Sequence, residues 1–173
     1  VLGHESTLTI TVDEMIPLVK AVSTAAQRAM VVADLPFGSY EQSPAQAVAT
    51  AVRFMKEGGA HAIKMEATAH HVDHVRALVA AGVPVMAHIG FTPQSEHALG
   101  GFRVQGRTGW DILQETALAL EEAGVFCLLM EMTSSDITAS INRAVRVPII
   151  GIGAGAETSG QVLVWQDAFG LRN

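Results

Sequence analysis

The sequence predicts an α/β fold on a parallel sheet, and more specifically about six of the eight strand–helix units of a (β/α)8 TIM barrel. Apolar runs alternate with helix-like segments along the chain, and such alternation indicates parallel strands joined by helical crossovers. The runs are apolar throughout, which is typical of strands buried on both faces. Polar residues end nearly every run, which favours a barrel, since its strand ends converge on one mouth. An open doubly wound sheet would gather them at one switch point.

The predicted strands lie at 29–34, 61–66, 84–90, 125–132, 147–153 and 161–167. Their C-terminal ends carry Asp34, Lys64 with Glu66, His88, Glu131, a glycine cluster at 151–155, and Asp167. A complete barrel has eight strands and typically about 250 residues. The 173 residues are therefore predicted to form a single incomplete barrel domain, 1–173, with material missing at one or both ends.

Helix signals fall between these runs. Thr11 and Glu14 form a capping-box pattern that begins a helix extending to about residue 26. Ser43 and Pro44 provide an N-cap and a first-turn proline for a second helix, which ends at glycines 58 and 59. Further helices are predicted at about 69–80, 110–122 and 134–144.

Composition excludes several classes of partner. The net charge is −6 and there is no basic run, so neither nucleic acid nor an anionic membrane surface is an expected partner. No apolar stretch reaches the roughly 18 residues of a membrane span.

The single cysteine, Cys127, lies in the apolar run "VFCLLM" and is predicted to be a buried, reduced thiol, which fits a cytoplasmic protein. The apolar content of 49% indicates either a well-packed core or apolar surface that other segments or subunits cover.

Three acids at strand ends, Asp34, Glu66 and Glu131, are the main candidates for chemistry. A buried carboxylate is costly unless it is paired, protonated or bound to a cation. One structural reading is a salt bridge between Glu66 and Lys64, which are two positions apart and so share a strand face. Three acids around one mouth instead favour a site for Mg²⁺, which takes one or two carboxylates and completes its shell with water and substrate oxygens.

Several other polar groups have both a functional and a structural reading. His88 is either a hydrogen-bonded core histidine or part of the site. His70, His71 and His74 are read as a solvated helix face, although positions 70 and 74 have a zinc-like spacing. The segment "GIGAG" at 151–155 fits a phosphate loop or, without any ligand, a tight loop that allows close backbone approach. The polar loop at 88–107, with Arg103 and Arg107, could meet an anionic substrate.

Eight stretches, in order along the chain, resemble the ketopantoate hydroxymethyltransferase family. They are "GHESTLTITVDE", "VVADLPFGSY", "AIKME", "PVMAHIGFTPQS", "GGFRVQGR", "MEM", "PIIGIGAG" and "GQVLVWQDAFG". The resemblance implies a (β/α)8 barrel of the phosphoenolpyruvate/pyruvate superfamily. It also implies a cytoplasmic, Mg²⁺-dependent homo-oligomer, often decameric.

The resemblance implies transfer of a hydroxymethyl group from 5,10-methylenetetrahydrofolate to 3-methyl-2-oxobutanoate, giving ketopantoate for pantothenate and coenzyme A synthesis through a Mg²⁺-stabilised enolate. It makes Asp34 a metal ligand that also contacts the bound keto acid, and places Glu66 in the metal site. Lys64 would bind the keto acid and offset enolate charge. Glu131 would be the general base at C3, and His88 would hydrogen-bond the bound acid.

The sequence departs from the family pattern at a few points. The family's Gly-Asp-Ser motif, whose aspartate binds the metal and whose serine contacts the keto acid, precedes the stretch matching "GHEST" and is absent from these residues. Ala67 and Thr68 stand where glycines are usual, and Ser159 where aspartate is common. The alternatives are another Mg²⁺–enolate lyase or mutase of the superfamily, an inactive fragment, a non-catalytic oligomer partner, or a phosphate-binding barrel.

Overall fold

A computed structural model describes residues 2–4, 6–101, 104–105 and 109–171. These residues form one six-stranded sheet in which every strand pairs in parallel with the next strand along the chain. The strands are β1 Val32–Asp34, β2 Ala62–Glu66, β3 Val85–Gly90, β4 Cys127–Glu131, β5 Ile149–Ile152 and β6 Gly160–Gln161. A doubly wound sheet reverses its strand order at a switch point, whereas a barrel keeps chain order. The order β1 to β6 therefore supports the barrel prediction.

Helices connect the strands, as the sequence predicts. They are α1 Val12–Ala25, α2 Pro44–Lys56, α3 Val72–Ala80, α4 Glu96–Leu99, α5 Trp110–Glu122, α6 Ser135–Ala144 and α7 Trp165–Ala168. The predicted capping box is present, since the Thr11 and Glu14 side chains each accept a hydrogen bond from the other residue's backbone N–H. Ser43 caps α2 through the N–H of Gln46. The predictions for these two helix starts are therefore confirmed.

The hydrophobic core lies between the sheet and its helices. Alternate strand residues pack outward into it, among them Ile63, Met65, Ala87, Leu128 and Met130. Buried helix residues such as Phe54, Leu78 and Leu120 meet them. This core fixes the register, because a slip of one residue would turn the apolar set of a strand to the opposite face.

The opposite, inner face of the sheet is mixed in character. It carries partly exposed apolar residues such as Met86 and Ile150, together with polar side chains at the strand ends. Cys127 also lies on this face, is 3% exposed and is a free cysteine, so the predicted buried thiol is confirmed. Burial raises the pKa of its thiol to about 11, which leaves little thiolate for chemistry at neutral pH.

The predicted strand at 161–167 is largely wrong. Only Gly160 and Gln161 pair with β5, and the chain then continues into α7, so Asp167 lies in a helix and not at a strand end. Residues 162–164 are between 39% and 63% exposed. A run of apolar residues forms a strand only where a neighbouring strand can pair with it and another layer can cover it.

None of the described helices is both long and apolar enough to cross a membrane.

Candidate active site

The strand register brings the predicted site residues to one face of the sheet. In the ladder, Asp34 is the partner of Lys64, Glu66 that of His88, and Gly90 that of Glu131. Paired residues of neighbouring strands point to the same side, as do residues two apart on one strand. The side chains that share the inner face at the C-terminal strand ends are Asp34, Lys64, Glu66, His88 and Glu131. The sheet thus brings to one face the five residues to which the sequence analysis assigned site roles.

Lys64 pairs with Asp34 across strands β2 and β1. Its Nζ lies 2.6 Å from Oδ2 of Asp34, with the lysine side chain 16% exposed and the aspartate side chain 42% exposed. The sequence analysis considered a structural salt bridge between Lys64 and Glu66, and Glu66 was the wrong partner. Two residues on one strand are about 7 Å apart along the chain, whereas the neighbouring strand is within about 5 Å, so the cross-strand acid is the better partner for an ammonium.

Glu66 is the most deeply buried acid of the site, 5% exposed. Its two carboxylate oxygens accept the backbone N–H of Gln94 at 3.2 and 3.0 Å. Burial raises the pKa of Glu66 to about 8, and the charges of Asp34 and Glu131 act in the same direction. The N–H of Gln94 and the charge of Lys64 oppose the rise. A cation beside Glu66 would remove the cost of its charge.

His88 and Glu131 form a second close pair. His88 is 1% exposed, and its Nε2 lies 3.3 Å from Oε2 of Glu131, whose side chain is 19% exposed. The ring nitrogens of His88 have no well-aligned hydrogen bond to any described residue. Burial lowers the pKa of His88 against the opposing effect of Glu131, so a neutral imidazole stands beside the carboxylate. The His88 ring therefore places no positive charge beside the Glu131 carboxylate.

Two backbone features that the sequence analysis missed fix the end of β4. Gly90 has φ +94°, and a Cβ there would collide with the backbone oxygen of Glu131 and with Thr133, so only glycine allows this approach. Met132, directly after Glu131, has φ +46°, which is unusual for a non-glycine residue and typical of functional sites. Its N–H donates to Ile152, and its carbonyl accepts from Gln105. No residue pattern marks a strained methionine in advance.

The other candidate groups do not extend the site. His71 and His74 stack at 5.3 Å, and His71 also stacks on Tyr40, so the predicted solvated helix face is right for His70 alone. Gly155 packs so closely on Ser135 that a Cβ would lie 2.6 Å away, which favours the tight-loop reading of "GIGAG". Arg103 and Arg107, proposed to meet an anion, lie outside the described residues.

The carboxylates suit a hard divalent cation. Oδ1 of Asp34 is buried and has no hydrogen-bond partner among the described residues. Asp34 and Glu66 lie at the ends of neighbouring strands on the same face, and both carry carboxylate oxygens that could coordinate a cation. Within the described ranges no three histidine, cysteine or acidic side chains form a metal cluster. Two carboxylates plus water and substrate oxygens match the habit of Mg²⁺.

Replacing Glu66 with glutamine should flatten the pH dependence of stability in the metal-free protein. Between its ordinary pKa of 4.5 and its folded value of about 8, the folded protein keeps a proton that the unfolded chain has released. The contribution of Glu66 to the free energy of unfolding is therefore full below about pH 4.5 and lost as the pH rises through 8. As the pH rises from 5 to 8.5, the free energy of unfolding of Glu66→Gln should increase by roughly 2–5 kcal/mol relative to that of the parent. Urea unfolding in EDTA measures this difference.

The exposed residue Glu122 offers a matched control for this experiment. Glu122→Gln should follow the parent at each pH. His88 acts in the opposite direction. Its pKa is lowered on folding, so its contribution to the free energy of unfolding is present when the pH is above the ordinary pKa of a histidine. This contribution is the same in both proteins and cancels in the difference. Parallel pH profiles for Glu66→Gln and the parent would contradict the buried, proton-binding carboxyl.

Solved structures with the same fold define the class of protein. Phosphonopyruvate hydrolase superposes with a TM-score of 0.67 at 15% identity, covering 95% of this chain and 65% of that one. For 2,3-dimethylmalate lyase, described as a PEP mutase/isocitrate lyase superfamily member, the TM-score is 0.61 at 14% identity, with 94% and 57% covered. At these identities the likeness shows the fold alone, and the six strands in chain order follow part of a (β/α)8 barrel, which confirms the predicted fold class.

Sequence relatives narrow this class to one family. A family model described as ketopantoate hydroxymethyltransferase matches residues 1–173. The 3-methyl-2-oxobutanoate hydroxymethyltransferase of Paenarthrobacter aurescens (strain TC1) is 63% identical over 99% of this chain and 58% of its own length. That of Nocardioides sp. (strain ATCC BAA-499 / JS614) is 58% identical over 99% and 59%. The chain belongs to the ketopantoate hydroxymethyltransferase family, and it spans about three-fifths of the length of these relatives.

Proposed function

We propose that this protein, alone or as part of a longer chain, transfers a hydroxymethyl group from 5,10-methylenetetrahydrofolate to 3-methyl-2-oxobutanoate, giving ketopantoate. The relatives that match nearly the whole chain are named for action on 3-methyl-2-oxobutanoate. The observation that carries the proposal is the inner-face cluster, in which three acids and a lysine share one face at the strand ends. A Mg²⁺ requirement, a homo-oligomeric state and a cytoplasmic location belong to the same proposal and rest on the family resemblance.

Asp34 and Glu66 are the residues that would hold the cation. The free Oδ1 of Asp34 and the immobilised carboxylate of Glu66 present oxygen donors at the ends of neighbouring strands. When bound, Mg²⁺ supplies Lewis acidity to the carboxylate and keto oxygens of the substrate. Lys64, with its side chain 16% exposed, would place a positive charge where negative charge develops on the keto acid.

Glu131 is the best placed general base for the proton at C3. Its side chain is 19% exposed, so it can be reached from the barrel mouth, and the nearest ring belongs to the buried His88. Because burial keeps His88 neutral, that ring does not form a permanent ion pair with the base. Gly90 packs closely on the backbone of Glu131, and Met132 follows it with a positive φ, which supports a well-defined backbone position for the proposed base.

Deuterium exchange at C3 of 3-methyl-2-oxobutanoate tests the proposal directly. The protein, shown to be folded by far-UV circular dichroism, is incubated with the keto acid and Mg²⁺ in D₂O without folate. Loss of the C3 proton signal by NMR, absent in matched samples with EDTA, is the expected result. Absence of exchange from the folded protein, both as these residues and within a longer chain that contains them, would overturn the proposed function. Product formation on adding 5,10-methylenetetrahydrofolate would separate the transferase from a lyase or mutase of the same superfamily.

A further inference from the structure

Gln94 lies outside the predicted site residues, yet it contacts the ends of both strands that carry the candidate metal ligands. Its backbone N–H donates to both carboxylate oxygens of Glu66, at 3.2 and 3.0 Å. Its side-chain amide donates to the carbonyl oxygen of Leu35 at 2.8 Å, and its Oε1 accepts from the hydroxyl of Tyr40 at 2.8 Å. Three separate groups of one residue are therefore engaged around the site.

The orientation of the Gln94 amide follows from its neighbours. The carbonyl of Leu35 can only accept a hydrogen bond, so the NH₂ group must face it and Oε1 must face Tyr40. Leu35 is fully buried and Tyr40 is 2% exposed. Because both partner residues are buried, loss of the Gln94 amide takes a hydrogen bond from the Leu35 carbonyl and leaves the Tyr40 hydroxyl its longer contact with the Glu66 carbonyl oxygen, at 3.3 Å.

Leu35 connects Gln94 to the first candidate ligand. It follows Asp34 directly in the chain, and its N–H donates to the carbonyl of Lys64 at 2.9 Å. Leu35 is thus held at its N–H by β2 and at its carbonyl, in the following peptide, by the Gln94 side chain. A shift of Leu35 would move the adjoining Asp34 relative to Glu66.

Tyr40 connects Gln94 to the second candidate ligand. Its hydroxyl donates to Oε1 of Gln94 and also lies 3.3 Å from the backbone oxygen of Glu66. The Glu66 carboxylate is held by the Gln94 N–H, so both ends of this residue are bound to the same small network. Carboxylate ligands are ordinarily oriented by such outer hydrogen bonds.

We propose that Gln94 is a positioning residue that sets the relative placement of the Asp34 and Glu66 carboxylates for a divalent cation. The inference rests on the proposed function, since it requires these acids to bind metal. Gln94 is not itself proposed as a ligand of the cation or of the substrate. It acts through Leu35 on one ligand and directly, together with Tyr40, on the other.

The test is the affinity for Mn²⁺, measured without substrate by electron paramagnetic resonance, in the parent and three variants. Gln94→Met keeps the volume of the side chain and the backbone N–H but removes both side-chain hydrogen bonds. Tyr40→Phe removes only the hydroxyl. Gln42, which is exposed, provides the control Gln42→Met. We expect the dissociation constant to rise about 10–100-fold for Gln94→Met, less for Tyr40→Phe, and not at all for the control.

The double variant separates positioning from simple stabilisation. If the two residues act through one network, the effects of Gln94→Met and Tyr40→Phe on Mn²⁺ affinity will be non-additive. Unchanged affinity in a folded Gln94→Met protein, with only its melting temperature lowered, would overturn the positioning role and leave the proposed function standing. A folded parent that binds no Mn²⁺ would overturn the metal site and, with it, both proposals.

Discussion

Replacing Glu131 with glutamine should lower Mg²⁺-dependent C3 exchange of 3-methyl-2-oxobutanoate by about 10²- to 10⁴-fold, the usual contribution of a general base. Glutamine has the same length and can still face Nε2 of His88, which lies 3.3 Å from the carboxylate. It cannot accept the proton. Because Glu131 is not proposed as a metal ligand, Mg²⁺ and keto-acid binding should be nearly unchanged.

The measurement combines NMR exchange rates with calorimetric binding of the keto acid in the presence of Mg²⁺. Glu115, exposed on α5, gives the matched control Glu115→Gln, which should exchange at the parent rate. If Glu131→Gln lost exchange and binding together, the residue would be a binding group and its assignment as the base would fail.

Replacing Asp34 with asparagine should weaken Mn²⁺ or Mg²⁺ binding by at least 10- to 100-fold. Even partners that only orient metal ligands have effects of about this size, and Asp34 is proposed as a direct ligand. The change removes one negative charge from a site in which Lys64 lies 2.6 Å away. The lysine would then stand unneutralised beside the incoming cation, which adds repulsion to the loss of a ligand.

Titration of Mn²⁺ followed by electron paramagnetic resonance reports this loss without requiring turnover. Asp73→Asn is the appropriate control, because Asp73 is exposed and pairs with Arg76 on the surface of α3. Equal Mn²⁺ affinity in Asp34→Asn and the parent would remove Asp34 from the metal site.

The faces and ends of the strands could be predicted from the sequence because both follow from simple periodicity. Buried parallel strands are apolar on both sides, so a charged residue such as Lys64 or Glu66 stands out against its neighbours. Positions two apart share a face, and chain-order pairing of parallel strands then gathers the strand ends. These rules alone brought the three acids, the lysine and His88 to one face.

The partner of each side chain could not be predicted, because partners depend on distances across the sheet. Lys64 meets Asp34 and not Glu66, since the nearest acid lies on the neighbouring strand. Gln94 reaches the site from a short 3-10 helix, Pro93–Ser95, that follows β3, and no periodicity in the sequence predicts its path. The last predicted strand failed because "VLV" at 162–164 is apolar in composition but finds no covering layer within the described residues.

The ion pair between Lys64 and Asp34 has a consequence for the order in which ligands arrive. An ammonium held 2.6 Å from a carboxylate acts as a resident counter-ion, which keeps that corner of the metal-free site near neutrality. While it is engaged there, Lys64 is less available to a second anion. If Asp34 held a divalent cation, Lys64 would be free to face the keto acid. Under the proposed function the cation should therefore bind first, and the keto acid should bind more tightly to the loaded protein, by the reciprocity of linked equilibria.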